Sequence, residues 1–237
     1  IFLCSWYGDK MAIQVYFIGA GPGDPELLTI KAKNIIERAD VIIYADSLIN
    51  PEVCSFVREG AEVYRSASLT LEEITEIIQR AVRQGEMVAR LQSGDPSIYG
   101  AIQEQMAALD EQGIEYEIIP GISSLFAAAA SLKTELTVPD LSQTVIITRI
   151  GGRTPVPTSE NLKSLAAHQS SIAIFLSASL IQKVVAELLA GGYLPDTPAA
   201  IVYRASWEDE IVVRTTLSNL TVQMKASVIK KQALILV

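Results

Sequence analysis

The chain has 237 residues, 49% of them apolar and 19% charged, a composition that excludes intrinsic disorder and suffices for one large α/β domain or two smaller ones. No apolar run reaches the roughly 18–20 residues a membrane-crossing helix needs, and a formal charge of −8 argues against a surface for nucleic acid or anionic membrane. Cys4, Cys54 and the single His168 give neither a disulfide framework nor a zinc-site spacing, so the expectation is a cytoplasmic protein without bound metal.

The opening IFLCSWYGDK precedes Met11 and lacks the apolar core and cleavage site of a secretory signal; residues 1–12 are expected to be an extension outside the fold. From Ile13 strand and helix patterns alternate. IQVYFIG reads as a buried strand, PELLTIKAKNIIERA as an amphipathic helix, DVIIYA and EVYR as strands, and TLEEITEIIQRAVRQG as a second amphipathic helix. EMVARLQSG is a further strand running into a loop, PSIYGAIQEQMAALDEQG a helix, IEYEIIPG a fifth strand and ISSLFAAAASL a helix of small residues. After KTELTVPDLSQ, which reads as a connection, a second series follows: TVIITRI, the loop GGRTPVPTS, a helix from about Glu160, SIAIFLS, the helix SLIQKVVAELLAGG, and the strands AAIVYRAS, EIVVRTTL and QALILV. Strands alternating with helices imply an α/β fold with parallel pairing. The expected division is an α/β domain over 13–133, a linker near 134–143 and an α/β domain over 144–237.

The turn after the first strand, GAGPGDPE, approaches a dinucleotide fingerprint but departs from it where the chemistry matters. Asp24 replaces the third glycine, and Pro22 removes an amide donor. Asp24-Pro25-Glu26 suits a helix start, with Asp as N-cap, Pro pre-set at the first helical position and Glu favouring the positive helix end. A carboxylate on those amides competes with a phosphate and repels it. The tripeptide recurs as Gly94-Asp95-Pro96 after another strand. Either both are only good helix caps, or they rim a site at the carboxyl edge of one sheet that avoids phosphate and admits a cationic, adenosine-bearing ligand such as S-adenosylmethionine.

Five blocks in order, VYFIGAGPGDPELLTIKA, ADVIIYADSLINPEV, RLQSGDPSIYGAIQEQ, YEIIPGISSLFAAAA and ELTVPDLSQTVIITRIGGRTPVP, resemble the tetrapyrrole methylases, two-domain methyltransferases that use S-adenosylmethionine. The match runs from about Val15 to Val237, and ITRIGGRTPVP with ADSLINPEV points within the family to enzymes methylating precorrin-4 or cobalt-precorrin-4 at ring carbon 11, in cobalamin biosynthesis. The resemblance implies two α/β domains, with mostly parallel and mixed sheets and the cofactor folded in a cleft between them. It implies cofactor contacts from Pro22, Ser93, Gly94, Asp95, Ile98, Ser123, Ser124, Leu176 and Ala205. It also implies a tetrapyrrole partner and a homodimer. Relatives acting on uroporphyrinogen III place an Asp directly after the Tyr of the second strand; here Ala45 follows Tyr44 and Asp46 comes one residue later, so no base role is carried to Asp46 and it stands as a substrate-binding candidate.

Methyl transfer from a sulfonium to an electron-rich carbon needs alignment and exclusion of water more than a protein nucleophile. The substrate's carboxylates call for cations, and Arg149 and Arg153, around Gly151 and Gly152, suit bidentate capture. Arg90 and Arg204 lie in strand-like runs and are left to internal pairing with carboxylates, and Trp207 to packing. Two other readings stay open: another tetrapyrrole methylase, such as a uroporphyrinogen III C-methyltransferase, and a non-catalytic module that binds an adenosine ligand.

Overall fold

The computed structural model describes residues 13–152 and 154–237, so residues 1–12 and Arg153 lie outside it. The described residues form two units: one holds 13–21 together with Pro25–Ile122, and the other holds Pro22–Asp24 and Ser123–Val237.

The first unit is a parallel sheet of β1 (Val15–Gly19), β2 (Val41–Tyr44), β3 (Glu62–Arg65), β4 (Val88–Gln92) and β5 (Tyr116–Ile119), in the order β3-β2-β4-β1-β5. Its helices are α1 (Ile30–Ile36), α2 (Leu71–Arg83) and α3 (Gln103–Asp110). Side chains alternate along each strand. Ile18, Ile42 and Leu91 meet Ile35 and Ile36 of α1 on one face, while Val15, Phe17, Val41, Ile43 and Val88 meet Ile78 of α2 and Leu109 of α3 on the other. Burial of both faces explains why the central strands read as continuous apolar runs.

The start of α2 is fixed by a reciprocal cap: the Glu73 amide donates to Thr70 Oγ1 at 3.3 Å, and the Thr70 amide to Glu73 Oε2 at 2.8 Å. Glu72 and Glu73 in the first turn and Arg80 and Arg83 in the last match the helix dipole. Thr70→Ala is expected to cost about 1 kcal/mol, a drop of about 2–4 °C in melting temperature on thermal denaturation.

Two helix starts differ from the sequence reading. Pro25–Leu27 is a single 3₁₀ turn; α1 begins at Ile30, and its N-cap is Thr29, whose Oγ1 accepts from the Ala32 amide at 3.1 Å. The segment after Pro96 is a series of turns, and α3 begins only at Gln103. In both places the Gly-Asp-Pro tripeptide shapes a turn rather than opening the helix.

The second unit is a mixed sheet of β6 (Val145–Arg149), β7 (Ser171–Phe175), β8 (Pro198–Tyr203), β9 (Ile211–Thr216) and β10 (Ala233–Leu236), in the order β6-β7-β10-β8-β9. Only β6 and β7 pair in parallel. Beside α4 (Ser124–Leu132), its helices are α5 (Leu162–Ala166), α6 (Ile181–Ala190) and α7 (Leu220–Ala226). α5, α6 and α7 bury Leu162, Val184, Leu188, Leu220 and Met224 on one face, and α4 covers the other with Leu125, Ala127 and Ala128 against Ala173, Val202, Leu234 and Leu236. α4 thus belongs with the second sheet, and the division falls at Ile122/Ser123, earlier than the linker placed near 134–143. Its small residues allow close approach to either sheet, so periodicity alone does not assign it. No periodic pattern marks α7, because its seven residues bury only Leu220 and Met224. Among the described residues no helix is long and apolar enough to cross a membrane.

Candidate active site

In the first sheet β1 and β4 are neighbours, yet β1 leads to α1 on one face and β4 to α3 on the other. Connections that leave adjacent strands toward opposite faces open a crevice at their carboxyl ends, where open α/β sheets bind ligands. Ser93, Gly94 and Asp95 stand at this point, at the end of β4. Gly21 and Gly94 form an antiparallel bridge across it, the Gly94 amide donating to the Gly21 carbonyl at 2.8 Å and the Gly21 amide to the Gly94 carbonyl at 3.3 Å.

The backbones here touch. A Cβ on Gly121 would lie 2.2 Å from the Gly94 carbonyl oxygen and 2.6 Å from Gly19 Cα, so the turns after β1, β4 and β5 meet where no side chain fits. The Asp95 carboxylate ties two of them together: Oδ2 accepts from the Gly121 amide at 2.8 Å, while Oδ1 accepts from the Ser97 amide at 2.9 Å and from its hydroxyl. Burial raises the cost of its charge, but the hydrogen bonds from Ser97 and Gly121 outweigh it and hold the pKa below the usual carboxylate value. Asp95 is therefore an ionised group at neutral pH. Ile98 follows, its amide donating to the Asp95 carbonyl at 3.2 Å.

Three amides of the Gly-rich turn, those of Ala20, Gly21 and Asp24, are occupied. Ala20 donates to the Gln92 carbonyl at 2.8 Å and Gly21 to Gly94. Pro22 has no N–H, and the Asp24 amide donates to Ser206 Oγ at 3.0 Å. A phosphate cradle needs such amides free and convergent. This turn offers a carboxylate and closed backbone instead.

The second unit brings several other candidates to one edge of its sheet. β6, β7 and β8 run in the same direction, so Arg149, Leu176 and Ala205 all lie at or just past carboxyl ends on that edge. Leu176 has a left-handed backbone (φ 53°) and is 67% exposed, an apolar side chain displayed by a strained turn. Ala205 is buried in the cluster that also holds Leu125 of α4. Ser123 Oγ caps α4 by accepting from the Leu125 amide at 3.3 Å, and Ser124 is the first helical residue. The Ser123 hydroxyl therefore has a structural role beyond the one the resemblance implies.

Pro22–Asp24 is held by the turn after β8. Trp207 Nε1 donates to the Pro22 carbonyl at 2.9 Å, and a Cβ on Gly23 would fall 2.2 Å from the indole Cδ1. Arg204 stacks on Trp207 at 4.7 Å and pairs with Asp209 at 2.7 Å, as expected of an internally paired arginine. Glu210 Oε2 accepts from the Ser206 amide at 2.7 Å and from Ser131 Oγ at 2.8 Å, fixing a turn in which Arg204 and Ser206 both have positive φ. Trp207 thus packs, as expected.

Arg149 donates from Nη1 to the Thr154 carbonyl at 3.0 Å and from Nη2 to the Pro155 carbonyl at 2.9 Å, so its guanidinium shapes the Gly151–Pro155 loop. Asp46 is exposed in the turn after β2, next to β4 in the first sheet. Arg153 lies outside the described residues. Arg90, expected to pair with a carboxylate, instead meets neutral oxygens on Gln105, Ile43 and Leu91. Gly19 belongs to the Gly-rich turn already read from the sequence, whereas Gly121 joins the site only in the fold; the Pro-Gly after the fifth strand is the sequence signal available for it.

A fold of one parallel and one mixed α/β sheet, with acidic turns in place of a phosphate loop at the switch point, sets the chain apart from the dinucleotide-binding folds. The profile of the tetrapyrrole (corrin/porphyrin) methylases matches residues 14–221, and the chain belongs to that family. It is 58% identical over 224 residues to the cobalt-precorrin-4 C(11)-methyltransferase of Methanocaldococcus jannaschii, covering 94% of this chain and 86% of that protein. The X-ray structure of the cobalamin biosynthetic enzyme cobalt precorrin-4 methyltransferase, CbiF, is similar with a TM-score of 0.92 at 49% identity, covering 94% of this chain and 93% of that one. The uroporphyrin-III C-methyl transferase from Thermus thermophilus, complexed with S-adenyl homocysteine, gives a TM-score of 0.79 at 28% identity, covering 94% and 91%.

Proposed function

We propose that the chain methylates ring carbon 11 of precorrin-4 or cobalt-precorrin-4, with S-adenosylmethionine as donor, in cobalamin biosynthesis. The relative from Methanocaldococcus jannaschii carries that activity in its name, and the Thermus thermophilus relative was crystallised with the demethylated cofactor. The observation in this chain that carries the reading is the state of the switch point, where an ionised Asp95 and the occupied amides of Ala20, Gly21 and Asp24 disfavour a phosphate. The proposed cofactor residues are Ser93, Gly94, Asp95 and Ile98 of the first unit and Pro22, Ser123, Ser124, Leu176 and Ala205 of the second. The homodimer implied by the resemblance and the cytoplasmic location expected from the sequence belong to the same proposal.

The donor brings an activated methyl group that passes to a nucleophilic carbon with departure of the neutral thioether. The residues of this chain bind and orient. Glycine backbones at the ends of β1, β4 and β5 allow close approach, and Asp95 fixes the turns about them. Leu176 offers exposed apolar surface for adenine, the buried Ala205 backs the same sheet edge, and Arg149 holds the loop that carries Arg153. Orientation of two bound reactants lowers a barrier by up to roughly 7–11 kcal/mol, so no protein nucleophile is needed.

Arg153→Ala is expected to raise the Michaelis constant for the tetrapyrrole by about 10- to 100-fold, the worth of one charge-assisted carboxylate contact, with cofactor affinity unchanged by calorimetry. The reverse pattern would assign the loop to the cofactor. Calorimetric titration tests the site's ligand class: S-adenosylhomocysteine should bind and ATP and NAD should not. Binding of ATP or NAD without binding of S-adenosylhomocysteine would contradict the proposal.

A further inference from the structure

Arg90 lies in the middle of β4, only 6% exposed, and its guanidinium reaches three neutral oxygens. Nε donates to Gln105 Oε1 at 3.1 Å, and Nη1 donates to the carbonyls of Ile43 at 3.3 Å and Leu91 at 3.2 Å. Among the described residues it has no carboxylate partner, and burial pushes its pKa down to about 10. A buried cation without a counter-charge is unfavourable, so an ion pair does not account for it. What the guanidinium does supply is a rigid fork that spans β2, β4 and α3.

The chain of bonds continues. Gln105, in the first turn of α3 and 5% exposed, donates from Nε2 to the Ala101 carbonyl at 2.9 Å. Ala101 has φ 50° and Tyr99 has φ 56°, and a Cβ on the intervening Gly100 would fall 2.2 Å from the Pro96 carbonyl oxygen. The segment from Pro96 to Ala101 is therefore tightly wound, with two non-glycine residues in the left-handed region. Such backbone persists only where its surroundings hold it. At one end it is anchored by Asp95 on the Gly121 amide, and at the other by Ala101 on Gln105.

We propose that Arg90 is a positioning residue: through Gln105 it fixes the Ala101 carbonyl and so holds the Ser97–Ala101 loop, with Ile98, in the form that binds the cofactor. The inference rests on the placement of the cofactor at Ser93–Ile98. Arg90 orients the amide of Gln105 so that its oxygen faces the guanidinium and its nitrogen faces the loop. A lysine in its place has no planar fork to do this.

Gln105→Glu separates the two halves of the relay. The carboxylate it introduces gives Arg90 the counter-charge it lacks but has no donor for the Ala101 carbonyl. The expected result is a melting temperature equal to or above that of the parent, together with about tenfold weaker S-adenosylhomocysteine binding, the worth of one lost hydrogen bond, and faster chymotryptic cleavage at the exposed Tyr99. Arg90→Met should weaken binding in the same direction. Parental affinity and cleavage rate in both variants would overturn the inference, as would a fall in melting temperature with affinity unchanged. Asp95→Ala is the control: weaker binding in it beside parental binding in the relay variants removes the relay alone, whereas unchanged binding in it removes the cofactor placement and the relay together.

Discussion

Gly121→Ala is expected to lower the melting temperature by roughly 10 °C and to abolish measurable cofactor binding. The added Cβ would stand 2.2 Å from the Gly94 carbonyl oxygen and 2.6 Å from Gly19 Cα, and both neighbours are backbone. No rotamer change relieves such a contact; the turn after β5 must move off the turns after β4 and β1. Overpacking of this kind costs about 3 kcal/mol, which corresponds to the stated shift for a chain of this size. The displacement would also withdraw the Gly121 amide from Asp95. A variant with parental melting temperature and affinity would show that the three turns are free to separate.

Asp95→Ala should weaken S-adenosylhomocysteine binding by roughly 10- to 100-fold, because the Gly121 and Ser97 amides lose a charged acceptor. Asp95→Asn should be milder, since its carbonyl oxygen still accepts from one of them. The pH dependence separates charge from shape. The folded-state pKa lies below the ordinary value of 3.8, so the stabilisation by the ionised group is fully present above that value and is lost as pH falls through the depressed one. The difference in melting temperature between parent and Asp95→Asn should accordingly stay constant from about pH 5 to 8 and shrink below about 4. A difference that grows in acid would require a raised pKa and would contradict the hydrogen-bonding pattern.

Local features of the molecule were legible in the sequence. The apolar runs of β1, β2 and β4 matched a sheet buried on both faces, the amphipathic pattern of TLEEITEIIQRAVRQG marked α2, and the two Gly-Asp-Pro turns proved to lie on one sheet edge. What was not legible depends on residues distant in the chain. Trp207 meets Pro22 across 185 positions, Asp95 meets Gly121 across 26, and Arg90 meets Gln105 across 15. No periodicity reports such pairings. The partition of α4 was hidden for a related reason, since a helix of alanines and serines suits either sheet and only the finished packing decides. The first turn of α1 was misread because Asp24-Pro25 and Thr29 are both competent N-caps, and the second is the one that opens the helix.

The position of the transferred methyl group tests carbon-11 methylation most directly. Incubation with S-adenosylmethionine labelled with carbon-13 in its methyl group, and with precorrin-4 or cobalt-precorrin-4, should place one label on ring carbon 11, read by carbon NMR of the isolated product. Label at another ring carbon, or turnover of uroporphyrinogen III in preference to either precorrin, would contradict it.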